Sequence, residues 1–213
     1  MHQLTRSITE HPQTLSGTLR ITAPKMFAET WLFDLCEQFH QQYPEIDFDI
    51  HCSYSRMNLN QQDIDLAFRA TNQPPQDMIA VPLLHYQHVL VASPGYLKQH
   101  GTPEHIQDLH QHQCLTTRHQ QVWPLRSQDI AVTGWLTTNE NHMLKQRALN
   151  GDGIIRIASY YVQQALDSGE LQAVLPDETP QQSNQVFMFY PQLIYPSPNI
   201  NAFVTFIKQA FQD

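Results

Sequence analysis

The sequence predicts an α/β protein of one domain or two small lobes, and two features of its pattern lead to this prediction. A strand, a helix and a second strand follow one another between Gly17 and His51, an order typical of a parallel βαβ unit. After Ser93-Pro94-Gly95 a new series of short elements begins, which indicates a boundary. A chain of 213 residues is long enough to bury a core without disulfides.

The elements before this boundary follow from hydrophobic periodicity. Leu19 and Ile21 alternate with polar residues and predict a strand that ends at Ala23-Pro24. Apolar residues then recur every four positions from Phe27 to Phe39, which predicts a helix that ends at Tyr43-Pro44. The same alternation predicts further strands at residues 46–50, 64–68, 79–84 and 88–92.

The predicted elements beyond the boundary are short. Gly151 and Gly169 each follow a helical pattern, as expected of residues that end a helix. Ser197 and Pro198 are expected at the N-cap and the first position of the last helix. The pattern predicts helices near residues 94–99, 104–110, 143–149, 162–166 and 198–211, and strands at 114–117, 133–138, 154–157 and 186–190.

The charge balance argues against two kinds of partner. Lys and Arg number 12 and Asp and Glu number 20, so the net charge is −8 with His neutral. Affinity for DNA or RNA comes largely from clustered Lys and Arg, so this chain is not expected to bind nucleic acid by itself. For the same reason it is a poor match for an anionic membrane surface.

The cysteines and the chain start bear on location. Cys36, Cys52 and Cys114 are widely spaced, contain no CxxC motif and give no disulfide framework, which favours a reducing compartment. The first residues contain no apolar signal-peptide region, and no apolar run is long enough to span a bilayer. We therefore expect a cytoplasmic protein that does not associate with membranes.

Short motifs follow one another in a fixed order through nearly the whole chain. They are Gly17-Thr18-Leu19-Arg20-Ile21, Tyr43-Pro44, Asp63-Ile64-Asp65-Leu66-Ala67-Phe68-Arg69, Leu90-Val91-Ala92-Ser93-Pro94-Gly95-Tyr96-Leu97, Gly101-Thr102-Pro103, Cys114-Leu115, Ser168-Gly169-Glu170-Leu171, Val174-Leu175-Pro176 and Tyr190-Pro191. A single piece such as Tyr-Pro is unspecific, but this many pieces in one order are specific. From about Gly17 to its end, the sequence resembles the effector-binding domain of LysR-type transcriptional regulators.

The resemblance implies a type 2 periplasmic-binding-protein fold. In that fold two Rossmann-like α/β lobes, joined by two crossover strands, hold a small effector in the cleft between them. On this expectation lobe I comprises residues 17–91 and 187–213, and lobe II comprises residues 92–186. Residues 1–16 resemble the end of the family's linker helix, and the winged helix-turn-helix DNA-binding domain ahead of that linker is expected to be absent from this chain.

The resemblance also implies a function. The domain would bind a small effector and oligomerise, and would modulate DNA binding and transcription, with DNA contacted only through the missing N-terminal domain. We expect a homodimer or tetramer in which the first helix of lobe I packs antiparallel against the partner's lobe II. An alternative is a periplasmic solute-binding protein for transport, which has the same fold but needs a signal peptide.

Nine residues are predicted to bind the effector. Ligands of open α/β sheets lie at the carboxyl ends of strands, where helix N-termini favour anions. Lys25 adds a positive charge there, so the effector is expected to be a small molecule, with a carboxylate as the class that this charge favours. The nine residues are Pro24, Lys25, Ser53, Ser55, Arg69, Thr116, Thr117, Asn139 and Asn141.

Metal binding and catalysis find little support. His110, His112 and Cys114 alternate as zinc ligands could on one face of a strand, but in the resembled family this segment is a plain connection from a helix to a strand. Ser93 lacks the glycine that precedes the serine of a nucleophile elbow by two residues. An enzyme on this fold, such as a relative of porphobilinogen deaminase, would need a reactive centre. We therefore expect no catalytic residue, no metal and no cofactor.

Overall fold

A computed structural model describes residues 15–53, 64–180, 183–192 and 197–212. The elements in chain order are β1 (Gly17–Ala23), α1 (Lys25–Phe27), a π-helical turn (Ala28–Leu32), α2 (Phe33–Gln42), β2 (Ile46–Cys52), β3 (Leu66–Ala70), β4 (Met78–Tyr86), β5 (His88–Ala92), α3 (Pro94–His100), a 3-10 turn (Ile106–Gln111), β6 (Cys114–Thr117), β7 (Val122–Pro124), β8 (Asp129–Ala131), β9 (Thr137–Thr138), α4 (Asn141–Leu149), β10 (Ile154–Ala158), α5 (Ser159–Asp167), β11 (Gln172–Val174), another 3-10 turn (Pro176–Glu178), β12 (Asn184–Pro191) and α6 (Pro198–Ala210).

The first sheet has the strand order β2-β1-β3-β12-β4. Strand β1 pairs in parallel with β2 and with β3, as the predicted βαβ unit requires. Strand β12 returns from the far end of the sequence and pairs antiparallel with both β3 and β4. The sheet is therefore completed by a strand that is distant in sequence.

The second sheet has the strand order β11-β5-β10-β6-β9. Strand β5 pairs antiparallel with β10 and β11, whereas β6 lies parallel to both β10 and β9. Its two faces pack in separate cores because alternate residues of β5 point to opposite sides. Leu90 and Ala92 belong to the cluster around Trp123, and Val91 belongs to the cluster with α4 and α5.

The chain passes between the two sheets at Gln87 and again between β11 and β12. The change at Gln87 separates β4 from β5 and lies before the predicted lobe boundary at residues 91 and 92. Gln87 also joins the two crossings, since its Nε2 donates to the carbonyl of Pro180 at 3.2 Å. Its carbonyl accepts from the backbone N–H of Ser159 at 2.8 Å. The predicted lobe limits, residues 17–91 with 187–213 and residues 92–186, stay a prediction.

The helix predicted from Phe27 to Tyr43 contains a π-helical turn. Residues four apart on an α-helix drift by about 40° at each step, so a stripe with a strict spacing of four winds around the cylinder. The turn at Ala28–Leu32 has more residues per turn and reduces that drift. Phe27 and Phe39 at the two ends of the helix are consequently both fully buried.

Aromatic side chains dominate the core of the first lobe. The ring of Phe27 stacks on Phe68 of β3 with centroids 4.9 Å apart. The ring of Phe39 meets Phe203 of α6 edge-on at 5.0 Å. Helices from both ends of the chain therefore pack on one face of the first sheet, and this packing fixes the position of α1 at the carboxyl end of β1.

Two segments differ from the predicted elements. Of the strand predicted at residues 133–138, only Thr137–Thr138 is regular, because Gly134 passes too close to β6 for an ordinary ladder. The small hairpin β7–β8 was not predicted; it buries Trp123 and Ile130 and leaves their neighbours exposed. Each of its strands has three residues, too few to give a recognisable alternation.

Other ends of elements agree with the sequence. Gly151 has φ of 84° and Gly169 has φ of 77°, the left-handed conformation that favours glycine after a helix. Ser197 is the N-cap of α6, although its side chain accepts no capping hydrogen bond. Among the described residues, no helix is long and apolar enough to cross a membrane.

Candidate functional site

A cavity of about 230 Å³ lies between the two sheets, next to the crossing at Gln87. We call it the interlobe cavity. The first lobe contributes residues from the start of α1 and from β3, β4 and β12, namely Pro24, Met26, Arg69, Ala70, Tyr86 and Val186. The second lobe contributes His88, Gln120, Asn141, Arg156, Ile157, Ala158 and Tyr160.

Three of the nine predicted site residues line this cavity. Pro24 lies at the carboxyl end of β1 and is the N-cap residue of α1. Arg69 lies near the end of β3, and Asn141 is the first residue of α4 in the other lobe. These three residues were predicted from the rule that ligands bind at the carboxyl ends of strands, and the structure brings them to one cavity.

Lys25 makes an ion pair across the cleft. Its Nζ lies 2.9 Å from Oε2 of Glu140, the residue before α4. The side chains of both partners are partly exposed. The positive charge that the sequence offered to a carboxylate effector is therefore largely balanced by a carboxylate of the protein itself.

Five predicted residues remain, and the four that the structure describes do not line the cavity. The N–H of Ser53 donates to the carbonyl of Ala23 at 2.9 Å and extends the pairing of β1 and β2. Thr116 is buried, with its Oγ1 3.4 Å from that of Thr137. The carbonyl of Thr117 accepts from the N–H of Gln120, which does line the cavity. Asn139 is exposed, and Ser55 lies outside the described residues.

Arg69 is held in place by neutral hydrogen-bond partners. Its Nη2 donates to Thr22 Oγ1 at 2.7 Å, and its Nη1 donates to the carbonyl of Phe68 at 2.6 Å. These bonds orient the guanidinium group, and no carboxylate among the described residues pairs with its positive charge. Burial lowers the pKa of Arg69, although an arginine stays charged at neutral pH.

Arg156 supplies a second positive charge from the other lobe. It lies in β10 between buried isoleucines and lines the same cavity. Its Nε is buried and has no hydrogen-bond partner among the described residues. Burial lowers the pKa of Arg156, while the nearby Tyr86 acts in the opposite direction. A buried N–H of a charged group without a partner is costly, so this position favours an acceptor from a ligand.

Aromatic groups join the lobes at the wall of the cavity. The Tyr86 ring lies 5.4 Å from that of His88, across the crossing at Gln87, and 5.2 Å from that of Tyr160. Tyr160 in turn lies 4.8 Å from Trp31 of the first lobe. Burial, together with the charge of Arg156, lowers the pKa of His88 to about 4, so its imidazole is neutral at pH 7.

A second polar contact between the lobes lies behind the cavity. The hydroxyl of Tyr161 in α5 donates to Oε2 of Glu29 in the π-helical turn. His142 Nδ1 of α4 lies 3.3 Å from that hydroxyl and 3.7 Å from the same carboxylate oxygen. The lobes are thus held in their present arrangement by Glu29 as well as by Lys25.

The residues considered for a metal site have structural contacts. His112 Nδ1 lies 3.1 Å from the hydroxyl of Tyr96, and Cys114 Sγ donates to the carbonyl of Leu109 at 3.6 Å. Ser93 caps α3 by accepting from the N–H of Tyr96 at 3.2 Å. Within the described part of the chain, no group of three or more His, Cys, Asp or Glu residues could hold a metal ion.

The sequence prediction missed Arg156, His88, Tyr86, Tyr160 and Gln120, which all line the cavity. Arg156 carried a usable signal, since a charged residue within Ile154-Ile155-Arg156-Ile157 interrupts an apolar strand. The other four residues carried no usable signal in the sequence. They reach the cavity through contacts between distant segments, such as the antiparallel pairing of β5 with β10. Such pairing between distant segments is not visible in a single sequence.

Comparison with protein families gives one match over nearly the whole chain, to the LysR substrate binding domain at residues 12–212. The HTH-type transcriptional activator TtdR of Escherichia coli K12 is 27% identical over 213 residues, which cover 96% of this chain and 68% of TtdR. The uncharacterized HTH-type transcriptional regulator YcaN of the same strain is 30% identical over 202 residues, covering 92% of this chain and 66% of YcaN.

Solved structures with the same architecture are also regulatory domains. The regulatory domain of CrgA, a LysR-type transcriptional regulator from Neisseria meningitidis, has a TM-score of 0.84 at 23% identity, covering 92% of this chain and 100% of that one. The regulatory domain of AphB from Vibrio vulnificus has a TM-score of 0.79 at 24% identity, covering 92% and 100%. The two lobes with their two crossings therefore form the expected type 2 periplasmic-binding-protein fold.

Proposed function

The chain belongs to the family of LysR substrate-binding domains, and from this premise we propose that it binds a small anionic effector in the interlobe cavity. It is the effector-binding regulatory domain of a LysR-type transcriptional regulator. Its relatives are transcriptional regulators, so the alternative of a solute-binding protein for transport is not supported. The family is not one of enzymes, and we propose no catalytic role.

The main evidence for an anionic effector is the positive charge of the residues that line the cavity. Arg69 and Arg156 both line it, and the described lining residues include no Asp or Glu. Two half-buried positive charges with no carboxylate among the described lining residues stabilise an anion, because Coulomb attraction is stronger where access of water is reduced. The effector class that we propose is a carboxylate, as expected from the sequence. Its positively charged partners are the two arginines rather than Lys25.

The position of the cavity suggests how binding is communicated. Its lining comes from both lobes and surrounds the first crossing between them, so an effector contacts both lobes at once. An effector that fits one lobe arrangement better shifts the population toward it. In the whole regulator we propose that this shift changes how a DNA-binding part of the HTH type is presented. We also propose that the regulator is located in the cytoplasm.

The nine residues predicted from sequence take different parts in this proposal. Pro24, Arg69 and Asn141 line the cavity and are proposed to touch the effector. Lys25 acts through its ion pair with Glu140, which sets the lobe arrangement. Ser53, Thr116, Thr117 and Asn139 support the elements that carry the lining residues, and Ser55 keeps its predicted role without structural support.

We also propose that the domain self-associates, at least as a homodimer. Phe33, the first residue of α2, is 46% exposed, although the other apolar side chains of that helix are buried. An exposed aromatic residue on the helix expected to meet a partner supports an interface there. Sedimentation of the wild-type chain and of Phe33→Glu tests this, and a monomeric wild type at tens of micromolar counts against it.

The effector proposal is tested by thermal unfolding of the full chain. Small carboxylates and their uncharged amides are compared at fixed pH and ionic strength. A ligand present at 100 times its dissociation constant adds about 2.7 kcal/mol of stability, which shifts the melting temperature by several degrees. We expect carboxylates to raise the melting temperature of the wild type more than that of Arg156→Gln. Stabilisation by the amides alone would overturn the anionic effector.

A further inference from the structure

The two arginines of the interlobe cavity come from different lobes. Arg69 lies on β3 of the first sheet, and Arg156 lies on β10 of the second. They therefore belong to two lobes that the chain links at the crossings. Any group that contacts both guanidinium groups also ties the two lobes together.

Neither arginine has an acidic partner among the described residues. The ion pairs in that part of the chain are Lys25 with Glu140, His142 with Glu29, and Arg147 with Asp152. The described lining of the cavity therefore contains two positive charges and no carboxylate. One carboxylate ligand would balance half of this charge and leave the other, half-buried arginine without a counterion among the described residues.

The hydrogen-bonding capacity of the arginines is also incompletely used. Each guanidinium group has five N–H donors in a planar fork that matches a carboxylate. In Arg69 the partners are the hydroxyl of Thr22 and the carbonyl of Phe68, which orient the fork. In Arg156 the Nε is buried and has no partner within the described residues. Both arginines therefore keep N–H donors that can bind a carboxylate.

We propose that the effector is a compact dicarboxylate whose two carboxylates pair with Arg69 and Arg156 at the same time. This inference rests on the proposed function, since it concerns the same cavity. His88 is neutral at pH 7 and contributes a polar contact rather than a third charge. A bridging dianion also explains how binding reaches both lobes, because each carboxylate fixes one of them.

The size and walls of the cavity limit the ligand further. A volume of about 230 Å³ corresponds to some seven or eight water molecules at roughly 30 Å³ each. That space suits a dicarboxylate with a backbone of roughly four to six carbon atoms and excludes a nucleotide or a bulky polycyclic acid. Met26, Ile157 and Tyr160 provide apolar surface for the carbon backbone between the two charged ends.

The experiment compares matched anions on the full chain. Dissociation constants are measured by thermal shift and calorimetry for succinate, glutarate and adipate, for butyrate and valerate, and for inorganic phosphate. We expect the best dicarboxylate to bind the wild type at least about tenfold more tightly than the monocarboxylate of equal length, the contribution of one extra charged hydrogen-bonded pair. Phosphate, a compact anion without a carbon backbone between two charged ends, is expected to bind weakly.

Substituted variants distinguish a ligand that pairs with both arginines from a general loss of folding. Arg69→Gln and Arg156→Gln should each reduce the preference for dicarboxylate over monocarboxylate to about one, since one carboxylate then lacks a partner. Arg156→Lys should keep part of the preference because the charge remains. Arg126→Gln removes one positive charge from an exposed arginine outside the cavity and should leave the preference unchanged.

The outcomes distinguish this inference from the proposed function. If monocarboxylates bind the wild type as tightly as dicarboxylates and binding still needs Arg156, the bridging dianion is wrong but the anionic effector stands. The inference is also wrong if the preference persists in Arg69→Gln and Arg156→Gln, or if phosphate binds as tightly as the best dicarboxylate. If uncharged amides bind and no anion does, both proposals are wrong. The absence of any shift at millimolar dicarboxylate likewise contradicts the inference.

Discussion

The ammonium group of Lys25 lies 2.9 Å from Oε2 of Glu140, and this ion pair joins the start of α1 in the first lobe to the residue before α4 in the second. The lysine that the sequence offered to an effector thus contacts the opposite lobe. The side chains are 39% and 46% exposed, so solvent screens the pair and its energy is small. It connects the two lobes and contributes little to the stability of the fold.

Removing this pair should have a small, salt-dependent effect. A double-mutant cycle with Lys25→Ala and Glu140→Gln is expected to give a coupling free energy of about 0.2–1 kcal/mol at low salt. Chemical denaturation at low and high salt measures it, and the coupling should fall as salt is added because the charges are exposed. A coupling free energy of zero at low salt would mean that the pair is not formed in solution.

The hydroxyl of Tyr161 should stabilise the present arrangement of the lobes. In Tyr161→Phe the carboxylate of Glu29 loses a charged hydrogen bond, so we expect the free energy of unfolding to fall by roughly 1–2 kcal/mol. The control is Tyr43→Phe, which removes a hydroxyl that only accepts a 3.4 Å bond from the neighbouring Gln42. Denaturant titration of both variants tests this, and equal losses in the two would contradict it.

His88 should make stability depend on pH in acid. Its pKa is about 4 in the folded protein, against 6.5 for an ordinary histidine. Between these values the unfolded chain binds a proton that the folded protein does not. Stability is therefore present above pH 6.5 and is lost as the pH falls toward 4, by up to about 1.4 kcal/mol per pH unit.

The measurement for His88 is a comparison of two variants. His88→Asn removes the titrating group, so the stability of the wild type relative to this variant should decline as the pH falls through the same interval. His119→Asn changes an exposed histidine and serves as the control. A constant difference between wild type and His88→Asn from neutral pH to about pH 4 would show that the imidazole is not desolvated as described.

Gly134 should not tolerate a side chain. A Cβ at this position would lie 2.4 Å from the carbonyl oxygen of Cys114, so Gly134→Ala must displace the backbone of β6. We expect a loss of roughly 1–3 kcal/mol, in the range of substitutions that force a backbone shift. Gly95→Ala is the control, because its Cβ would meet no atom closer than 4.0 Å and it lies within α3. That substitution should be neutral or slightly stabilising.

Much of the fold was predictable because the signals are local. The alternation of Leu19 and Ile21 and the helix ends at Gly151 and Gly169 each depend on neighbouring residues, and the structure has them where the sequence predicts. The hairpin at β7–β8 and the irregular path at Gly134 were not predicted. They depend on short strands and on a close approach to β6, neither of which leaves a periodic pattern.

The cavity was predictable only in part. Pro24 follows β1, Arg69 lies near the end of β3, and Asn141 begins α4. The rule about carboxyl ends of strands therefore predicted all three. Arg156 and His88 reach the cavity because β10 runs antiparallel to β5, with His88 opposite Ala158. No local pattern predicts that pairing, although a charge within the apolar run of β10 was a visible anomaly.

The sequence by itself determined the family, the α/β class and the edge of the sheets where a ligand should bind, since motif order and periodicity are properties of the chain. Only the tertiary structure decided which charges meet there. Lys25 is balanced by Glu140 across the cleft, whereas Arg69 and Arg156 lie in one cavity without a carboxylate among its described lining residues. The physical reason is that electrostatics depends on distances in space, and these distances are set by pairings between segments far apart in sequence.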